Sequence, residues 1–290
     1  MFRVAVLSRG YKRKTRGFVL ADTKSAPADI GDEPYQMLHK FEGVTVAVDG
    51  NRCRGLRAIA DSVDVILLDD AFQHRYVIPG LNILLIDYNR PIWNDFLLPA
   101  GRLRESASGK RRADIIILSK CPQNMNEEEM CLLKRKIAPS SSQKVFFSTL
   151  LYNNMYRLSD KSTRRLDSIQ EDEEILLLTG IASPDAIKAE LKKRSKRIQT
   201  ISFPDHHDFS NNDTERIKKM FNAMNPRRRI IVTTEKDAAR LTGKDICRET
   251  LYLYIYVLPI EVRFLNQGEK LFNQNIIEYV RENSRNSGLH

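Results

Sequence analysis

Residues 63–68 are almost wholly apolar and run directly into two adjacent carboxylates, Asp69 and Asp70. A short apolar segment of this kind is typical of a strand that is buried on both faces of a parallel sheet. Folds of the α/β class build their sites at the carboxyl ends of such strands. Two adjacent carboxylates repel each other unless a cation lies beside them, and hydrated Mg²⁺ is a common partner. The segment therefore predicts a Walker-B-like arrangement, with a charged turn as the plainer alternative.

Apolar segments alternate with segments of helical spacing along most of the chain, which predicts an α/β fold with a mostly parallel sheet. We interpret residues 31–34 as a turn and residues 145–156 as extended connecting chain. The predicted strands are 1–7, 44–48, 63–68, 81–87, 114–119, 175–178, 198–202, 230–234 and 251–257, and the predicted helices are 35–40, 52–60, 184–194, 212–224 and 267–281.

A change of composition near residue 140 suggests two domains. We expect a core over residues 1–146, a linker over 147–174 and a second α/β domain with a closing helix over 175–290. Within the second domain, residues 235–237 follow an apolar strand. We interpret them as the capped start of a helix, with a role in the site as the alternative.

The chain of 290 residues carries a net charge of +10, which suits nucleic acid, an anionic membrane surface or an acidic substrate without choosing among them. Its four cysteines lack CxxC spacing, which argues against a cysteine metal site or a disulfide framework. No apolar run of about 18 residues occurs, so we predict no membrane-spanning helix and no secretory signal.

Seven separated motifs occur along the chain. They are LSRGYKRK at 7–14, GDEPYQM at 31–37, LLDDAFQHR at 67–75, LLPAGRLRE at 97–105, TGIASP at 179–184, FPDHHDF at 203–209 and TTEKDAARL at 233–241. In this order they resemble one enzyme family, tetraacyldisaccharide 4'-kinase, the lipid A 4'-kinase of Gram-negative bacteria, as far as about Glu261. The resemblance implies a P-loop-kinase-like, mostly parallel sheet with helices on both faces and a second, smaller α/β domain.

The resemblance implies that the γ-phosphoryl group of ATP is transferred to the 4'-hydroxyl of an acylated glucosamine disaccharide, with Mg²⁺ as cofactor. It assigns Asp32 as the general base, aided by His206, although the adjacent His207 stays open as the partner. An exposed acidic turn is the plainer reading of GDEP. A zinc site at the two histidines is disfavoured because adjacent histidines lack the usual ligand spacing.

The remaining predicted site residues surround the phosphates and the metal. We expect Asp69 and Asp70, with Glu33, to bind Mg²⁺. Basic and polar side chains next to these motifs suit phosphate oxygens, and Gly101 permits close approach of the backbone to a ligand. The predicted phosphate and substrate contacts are Arg9, Gln73, His74, Arg75 and Arg102, with Arg104 similarly placed.

One departure from the family pattern concerns ATP. Family members carry a glycine-rich P-loop upstream of the LSRGY stretch, and the motif GxxxxGK[ST] does not occur in these 290 residues. A P-loop supplies backbone N–H groups and a lysine to the phosphates. We therefore expect a truncated gene product or a misassigned start codon, with a real, inactive relative as the alternative. We expect an inactive polypeptide when these residues stand alone.

Two other functions compete with the kinase. A basic α/β protein that binds nucleic acid would explain the charge, but no RNP, helix-turn-helix or zinc-finger spacing occurs and aromatics do not interleave with the basic clusters. A degenerate binding module would keep the acceptor cleft without ATP. We expect no nucleic-acid partner, and we place the protein in the cytoplasm, peripherally bound to the inner membrane.

Overall fold

The protein is described by a computed structural model over residues 2–152, 154–181, 184–205, 207, 209–242, 246 and 250–286. Short 3₁₀ segments occur at Ala60–Ser62, Ala107–Arg112, Leu166–Ser168 and Thr250–Tyr254. The strands are β1 (Val4–Ser8), β2 (Val19–Leu20), β3 (Thr45–Val48), β4 (Val65–Leu68), β5 (Ile83–Asp87), β6 (Ile115–Ser119), β7 (Lys144–Tyr152), β8 (Asn154–Arg157), β9 (Thr163–Arg165), β10 (Glu174–Thr179), β11 (Ile198–Ser202), β12 (Arg229–Thr234), β13 (Ile255–Leu258) and β14 (Ile260–Phe264). The helices are α1 (Pro27–Ile30), α2 (Asp32–Lys40), α3 (Arg52–Ile59), α4 (Glu127–Ile137), α5 (Asp185–Lys192), α6 (Asn211–Asn222), α7 (Glu235–Leu241) and α8 (Gly268–Asn286).

The predicted α/β class with mostly parallel pairing is confirmed. The chain forms two compact units, each assembled from separate segments. Unit 1 contains residues 1–7, 51–151 and 261–290, and unit 2 contains residues 8–50 and 152–260. The predicted domain ranges follow the chain consecutively, whereas segment 8–50 groups with the later part of the chain; the predicted division stays a prediction.

Unit 1 contains two sets of parallel strands. Strand β1 pairs with β4, and β5, β6 and β7 form a second set in which β14 is the neighbour of β7. Strand β6 is the most buried of them, because Ile116 and Leu118 are fully enclosed on one face and Ile115 and Ile117 lie almost fully enclosed on the other. Helix α8 contributes Phe272 and Ile276 to this second face.

Unit 2 is built on a six-stranded sheet with the order β11-β10-β12-β13-β8-β9. The first four strands are parallel, while β8 and β9 are antiparallel additions. Strand β10 is central and its residues Ile175, Leu176, Leu177 and Leu178 are fully buried. Such continuous burial is expected for a parallel strand covered on both faces.

Side chains fix the starts of several helices. In α4 the Asn126 side chain accepts from the Glu129 N–H while Glu129 accepts from the Asn126 N–H, which forms a capping box. Ser210 and Asp213 form the same arrangement at α6. Thr234 caps α7, so the predicted capped helix at residues 235–237 is confirmed.

The predicted turn at residues 31–34 is wrong, because helix α2 begins at Asp32. Gly31 precedes the helix with a φ of 94°, a conformation that glycine adopts without strain. The carboxylates of Asp32 and Glu33 then lie in the first turn, where they complement the helix dipole. Pro34 is tolerated because a first-turn N–H needs no helical partner.

Residues 145–156 were expected to connect the domains as extended chain, but most of them form strands. Strand β7 pairs in parallel with β6 through Val145, Phe146 and Phe147. Strand β8 pairs with β13 through Tyr156 and Arg157. The apolar and aromatic residues of this segment therefore pack in the cores of the two units rather than along a linker.

The prediction that residues 63–68 are buried on both faces is also wrong. Strand β4 is the last strand of its sheet, and the side chain of Leu67 is 52% exposed. Strand β5 is likewise a terminal strand, with Leu85 at 65% exposure. The two strands contribute to a cavity of about 1360 Å³ in unit 1, whose other apolar walls include Phe72, Ile78 and Ile276.

Candidate functional site

Asp32 is held by a buried arginine in unit 2. Arg240 Nε and Nη2 donate to Asp32 Oδ2 over 2.9 and 2.6 Å. The Arg240 side chain is 6% exposed and that of Asp32 is 14% exposed. The guanidinium therefore fixes the orientation of the carboxylate and compensates its charge.

A second carboxylate fixes the other end of the arginine. Asp237 is fully buried, and its Oδ1 accepts from Arg240 Nη1 over 3.2 Å. Asp237 Oδ2 accepts from the Thr234 hydroxyl and from the Gly180 N–H. Burial raises the pKa of Asp237, although the bonds from Gly180, Thr234 and Arg240 oppose the shift. Arg240 is therefore clamped between two aspartates.

Gly180 is required at this point of the fold. Its carbonyl accepts from Arg240 Nη1 over 3.1 Å. A Cβ added to Gly180 would lie 2.9 Å from Asp237 Oδ1 and 3.4 Å from Arg240 Nη1. The TGIASP stretch therefore matters here because its glycine lets the backbone reach the arginine and aspartate side chains.

A lysine on α7 joins further carboxylates to this cluster. Lys236 Nζ lies 2.8 Å from Glu33 Oε1 and 3.2 Å from Asp205 Oδ1. Lys40 on α2 pairs with Glu235 on α7 over 3.2 Å. Helices α2 and α7 are thus connected by three separate ion pairs when Asp32–Arg240 is included, and Glu33 is engaged by a lysine.

The structure describes only one of the two adjacent histidines. His206 lies outside the described residues. His207 is described, and its Nε2 lies 2.9 Å from Asp213 Oδ2 while its ring stacks on Phe203. Burial alone would raise the pKa of Asp213, but hydrogen bonds from Ser210 and His207 lower it to about 2. His207 is therefore part of the N-terminal cap of α6.

In unit 1 the acidic pair follows β4 as predicted. Asp70 adopts a left-handed backbone with a φ of 44°. Its two carboxylate oxygens accept from Arg104 Nη2 and Nη1 over 2.7 and 3.1 Å. The side chains of Asp70 and Arg104 are 68% and 55% exposed. The carbonyl of Asp69 accepts from Arg52, whose side chain is buried.

Glu105 accepts hydrogen bonds from polar residues that follow the acidic pair in the sequence. It accepts from Arg112 over 2.8 and 2.9 Å, from Arg75 over 3.2 Å and from Gln73 over 3.4 Å. Burial raises the pKa of Glu105, but the bonds from Arg112 and Arg75 outweigh it and leave the pKa below its usual range. The DDAFQHR and PAGRLRE stretches therefore meet through Glu105.

Two buried polar atoms beside this cluster lack a partner among the described residues. They are His74 Nε2 and Gln73 Oε1. Buried polar atoms are almost always satisfied in folded proteins, by protein, water or ligand. Both predicted phosphate or substrate contacts thus retain hydrogen-bonding capacity.

The remaining predicted contacts, Arg9 and Arg102, are exposed, and neither side chain bonds to another described residue. The backbone of Arg102 donates to Asp95, and a Cβ on Gly101 would lie 2.2 Å from the Phe96 carbonyl. Gly101 therefore serves the loop itself. Arg13, in the same basic loop as Arg9, donates to the Val48 carbonyl and to Thr15 and so holds the loop together.

Among the described residues no group of three or more His, Cys, Asp or Glu side chains could hold a metal ion. The donors present after β4 are the carboxylates of Asp69 and Asp70. Mg²⁺ is usually bound by one or two carboxylates with waters and substrate phosphates completing its shell, so these residues fit the ion.

Comparison with known proteins identifies the family. The sequence profile described as tetraacyldisaccharide-1-P 4'-kinase matches residues 1–280. The chain belongs to this kinase family. Tetraacyldisaccharide 4'-kinase of Phocaeicola vulgatus is 48% identical over 99% of the chain and 80% of the relative. The corresponding protein of Flavobacterium johnsoniae is 42% identical over 97% of the chain and 79% of the relative.

A solved structure of this kinase family has the same fold. LpxK from Aquifex aeolicus, crystallised with ATP, superposes with a TM-score of 0.67 at 28% identity. The match covers 96% of this chain and 79% of that chain. The predicted family, fold class and kinase activity class are thereby confirmed, while the individual site residues stay predictions.

The sequence motifs did not reveal several of the residues that organise these clusters. Arg240, Asp205 and Glu105 all lie inside the quoted stretches but had no assigned role. Arg240 follows Asp237 by three positions, so the two meet on one face of α7. That helical spacing is the signal that identifies Arg240.

Proposed function

We propose that this chain carries the acceptor-side and metal-side residues of a kinase that phosphorylates the 4'-hydroxyl of an acylated glucosamine disaccharide 1-phosphate. The family match and the names of the relatives support the reaction class and its substrate. ATP as the phosphoryl donor is supported by the Aquifex aeolicus structure. The observation that carries the proposal is the buried Arg240–Asp32 pair, which fixes a carboxylate at the start of a helix.

In this proposal Asp32 accepts the proton of the 4'-hydroxyl. The hydroxyl oxygen forms a bond to the γ-phosphorus as the bond from that phosphorus to the β,γ-bridging oxygen breaks. ADP leaves with the electrons of the broken bond. An unperturbed carboxylate is a weak base near pH 7, so a partner that shares the proton is needed. We assign that role to His206, because His207 is engaged by Asp213.

Asp69, Asp70 and Glu33 are the proposed metal-binding residues. Mg²⁺, when bound, neutralises charge on the transferring phosphate. Asp70 must exchange its bonds to Arg104 for a cation, and its high exposure keeps the cost of that exchange low. Released from Asp70, Arg104 carries a guanidinium suited to phosphate oxygens.

The proposed phosphate and substrate contacts are Arg9, Gln73, His74, Arg75 and Arg102. His74 Nε2 and Gln73 Oε1 support the assignment, because they have no partner among the described residues and buried polar atoms are almost always satisfied. Arg75 already points one nitrogen at Glu105, so its contact with a phosphate would compete with that pair.

Transfer of labelled phosphate from ATP to the disaccharide lipid tests these roles. We expect Asp32→Ala and His206→Ala each to slow transfer by roughly 10²–10⁴-fold. The double variant should be far less than multiplicatively slower, since residues that act as one unit are non-additive. Additive barriers would contradict the shared proton. His207→Ala is the control and should leave the transfer rate within a few-fold of the starting protein.

Two versions of the chain are needed for this assay. The first is residues 1–290, and the second adds an upstream segment that carries the GxxxxGK[ST] motif. Preorganised backbone donors to phosphate are worth several kcal/mol of barrier, so we expect the longer version to be faster by at least about five powers of ten. Equal rates would show that ATP is bound without a P-loop. The variants are compared within whichever version is active.

The acylated acceptor also implies work at a bilayer surface. No helix in the described part of the chain has the length and apolar character needed to cross a membrane. The net charge of +10 supports electrostatic attraction to the anionic lipids of a cytoplasmic leaflet. Flotation with anionic vesicles should carry the protein into the lipid fraction at low salt and release it at high salt. Absence from the lipid fraction at low salt would exclude peripheral binding.

A further inference from the structure

Unit 2 contains a polar cavity at the opposite end of its sheet from Asp32, Asp237, Arg240 and Gly180, which we call the Asp32 cluster. The Asp32 cluster follows the carboxyl ends of β10 and β12, through Gly180 and Arg240. The polar cavity lies at the amino end of β12, where Arg229 is the first strand residue, and has a volume of about 610 Å³. Its lining residues are Arg157, Arg164, Gln170, Glu173, Arg227, Arg228, Arg229, Ile230, Leu253, Tyr254 and Tyr256.

The cavity has an excess of positive charge. Among the described residues, five guanidiniums line it together with one carboxylate, Glu173, which accepts two bonds from Arg164. Two further carboxylates reach it from outside, Asp160 to Arg157 and Asp172 to Arg228. Two positive charges are left over, which favours an anionic ligand.

Several arginines are held in place by bonds that do not neutralise their charge. Arg229 Nη1 donates to the backbone carbonyls of Phe221 and Met224 at the end of α6. Arg157 Nη2 donates to the Tyr256 hydroxyl, and its guanidinium lies 5.5 Å from the centre of that ring. These contacts orient the guanidiniums before any ligand binds, which lowers the entropic cost of binding.

An independent observation points to a ligand. Arg157 Nε and Arg229 Nε are buried and have no hydrogen-bond partner among the described residues. Buried donors without a partner are rare, and an unseen ion or water is a common reason. Arg227, beside Arg229, is exposed and its side chain makes no bond to a described residue. Three of the arginines that line the cavity therefore have N–H donors without a partner among the described residues.

One wall of the cavity is apolar and open to solvent. Leu253 is 54% exposed and Tyr254 is 39% exposed. An inorganic anion needs no such wall, whereas the organic part of a phosphate ester can pack against it. Guanidiniums bind phosphate oxygens in pairs of parallel hydrogen bonds.

We propose that this arginine cavity is a binding site for a phosphomonoester, separate from the Asp32 cluster. Its ligand is either a soluble phosphate ester or the headgroup of a phosphate-bearing lipid, since both present the same dianion to the arginines. The proposal does not depend on phosphoryl transfer, because no residue of the cavity has a role in that reaction.

The test is calorimetric titration of residues 1–290 with dihexanoyl phosphatidic acid, a soluble phosphomonoester, in the absence of nucleotide. We expect saturable binding, and we expect Arg227→Gln to weaken it about tenfold, the scale of one lost charged hydrogen bond. Arg165→Gln is the matched control, because Arg165 is an exposed arginine in β9 outside the cavity. It should leave the affinity unchanged.

A second variant guards against other phosphate sites on the chain. Arg229→Gln should also weaken binding, and its thermal midpoint shows whether the end of α6 is intact. Equal affinity in the starting protein, Arg227→Gln and a folded Arg229→Gln would overturn the proposal, as would absence of binding in the starting protein. An equal loss in Arg165→Gln would also overturn it, since the effect would then be general surface charge.

Vesicle co-sedimentation separates the two sources of phosphate. Vesicles of phosphatidylcholine with phosphatidic acid are compared with vesicles in which phosphatidylserine supplies the same charge. A preference for phosphatidic acid that is lost in Arg227→Gln assigns the cavity to a lipid headgroup. Soluble binding without that preference assigns it to a free phosphate ester.

Discussion

Each unit contains an arginine that donates two hydrogen bonds to an aspartate of the predicted site, but the two pairs lie in different surroundings. In unit 2, Arg240 and Asp32 are 6% and 14% exposed, and Asp237 and Gly180 hold the arginine from behind. In unit 1, Arg104 and Asp70 are 55% and 68% exposed. The same two residue types therefore form a buried pair and an exposed pair.

The two surroundings suit the two aspartates to different roles. An exposed ion pair contributes little to stability, so Asp70 can exchange its arginine for a cation at small cost. Breaking a buried pair leaves an uncompensated charge inside the protein, so Asp32 keeps its partner and its orientation. A metal ligand benefits from exchange, whereas a general base benefits from a fixed position.

The largest effect is expected for the buried pair. Arg240→Gln removes the positive charge between Asp32 and Asp237 and should lower the free energy of unfolding by about 3–5 kcal/mol. Urea denaturation followed by circular dichroism measures this change. The double variant Asp32→Leu with Arg240→Met should regain much of the loss, because it removes both charges while keeping apolar volume. A loss below about 1 kcal/mol in Arg240→Gln would remove the distinction between the pairs.

Glu105 provides an intermediate case in unit 1, since it accepts from three side chains but lies near the surface. Glu105→Gln should cost about 1.5–3 kcal/mol at pH 7, the range for hydrogen bonds to charged groups. The pKa of Glu105 is lowered in the folded state, so its contribution is present above about pH 4.3 and is lost as the pH falls further. The free energy of unfolding, measured against pH, reports both quantities.

Glu282→Gln removes the same charge from an exposed position on α8 and is the control for Glu105. It should change the free energy of unfolding by no more than about 0.5 kcal/mol at any pH. If both variants show the same pH dependence, the effect at Glu105 comes from net charge and not from its arginines.

Asp213 tests a carboxylate held by a histidine and a helix cap. Asp213→Asn should cost about 1 kcal/mol at neutral pH through the weakened cap of α6. The folded-state pKa of about 2 lies below the usual value near 3.9, so the difference between the two proteins should shrink as the pH falls from about 4 through 2. Denaturation of both proteins at several acidic pH values measures this difference in the free energy of unfolding.

The comparison protein for that series is Glu215→Gln, which changes an exposed carboxylate of the same helix. Its stability should follow the starting protein across the whole pH range. A gap between the starting protein and Asp213→Asn that stays undiminished from about pH 4 down to about pH 2 would mean that charge on Asp213 is not what stabilises the cap.

The smallest effect is expected for the exposed pair. Arg104→Gln should lower the free energy of unfolding by less than about 1 kcal/mol at low salt, and by less still at high salt. Arg104→Lys, which keeps the charge but loses the paired donors, should lie between the two proteins. A loss comparable to that of Arg240→Gln would show that exposure does not govern the two pairs.

Local sequence patterns predicted most of the elements of the sheets, because burial of apolar strands leaves a clear signal. Strands 114–119, 198–202 and 230–234 agree with β6, β11 and β12 within one residue. The patterns failed where local chemistry has two outcomes. The GDEP stretch favours a turn by composition, yet Gly31 and the two acids start a helix equally well.

The organisation of the sites was less predictable, because it depends on residues far apart in the chain. Asp32 and Arg240 are separated by 208 positions, and no local sequence pattern indicates that their side chains form a pair. Glu105 and Gln73 are 32 positions apart. Motif resemblance identified the stretches that contain these residues, but only the folded sheet brings particular side chains together. The sequence likewise could not show that β4 ends its sheet.

The terminal strands of unit 1 affect how the protein behaves at high concentration. In the described part of the chain, strands β4 and β5 each pair with a strand on one side only, and Leu67 and Leu85 are more than half exposed. Open edges with apolar side chains recruit strands from other molecules. Purified material should therefore self-associate as its concentration rises. Leu67→Lys or Leu85→Lys should keep the preparation monodisperse, because a charged side chain at the edge opposes pairing with another molecule.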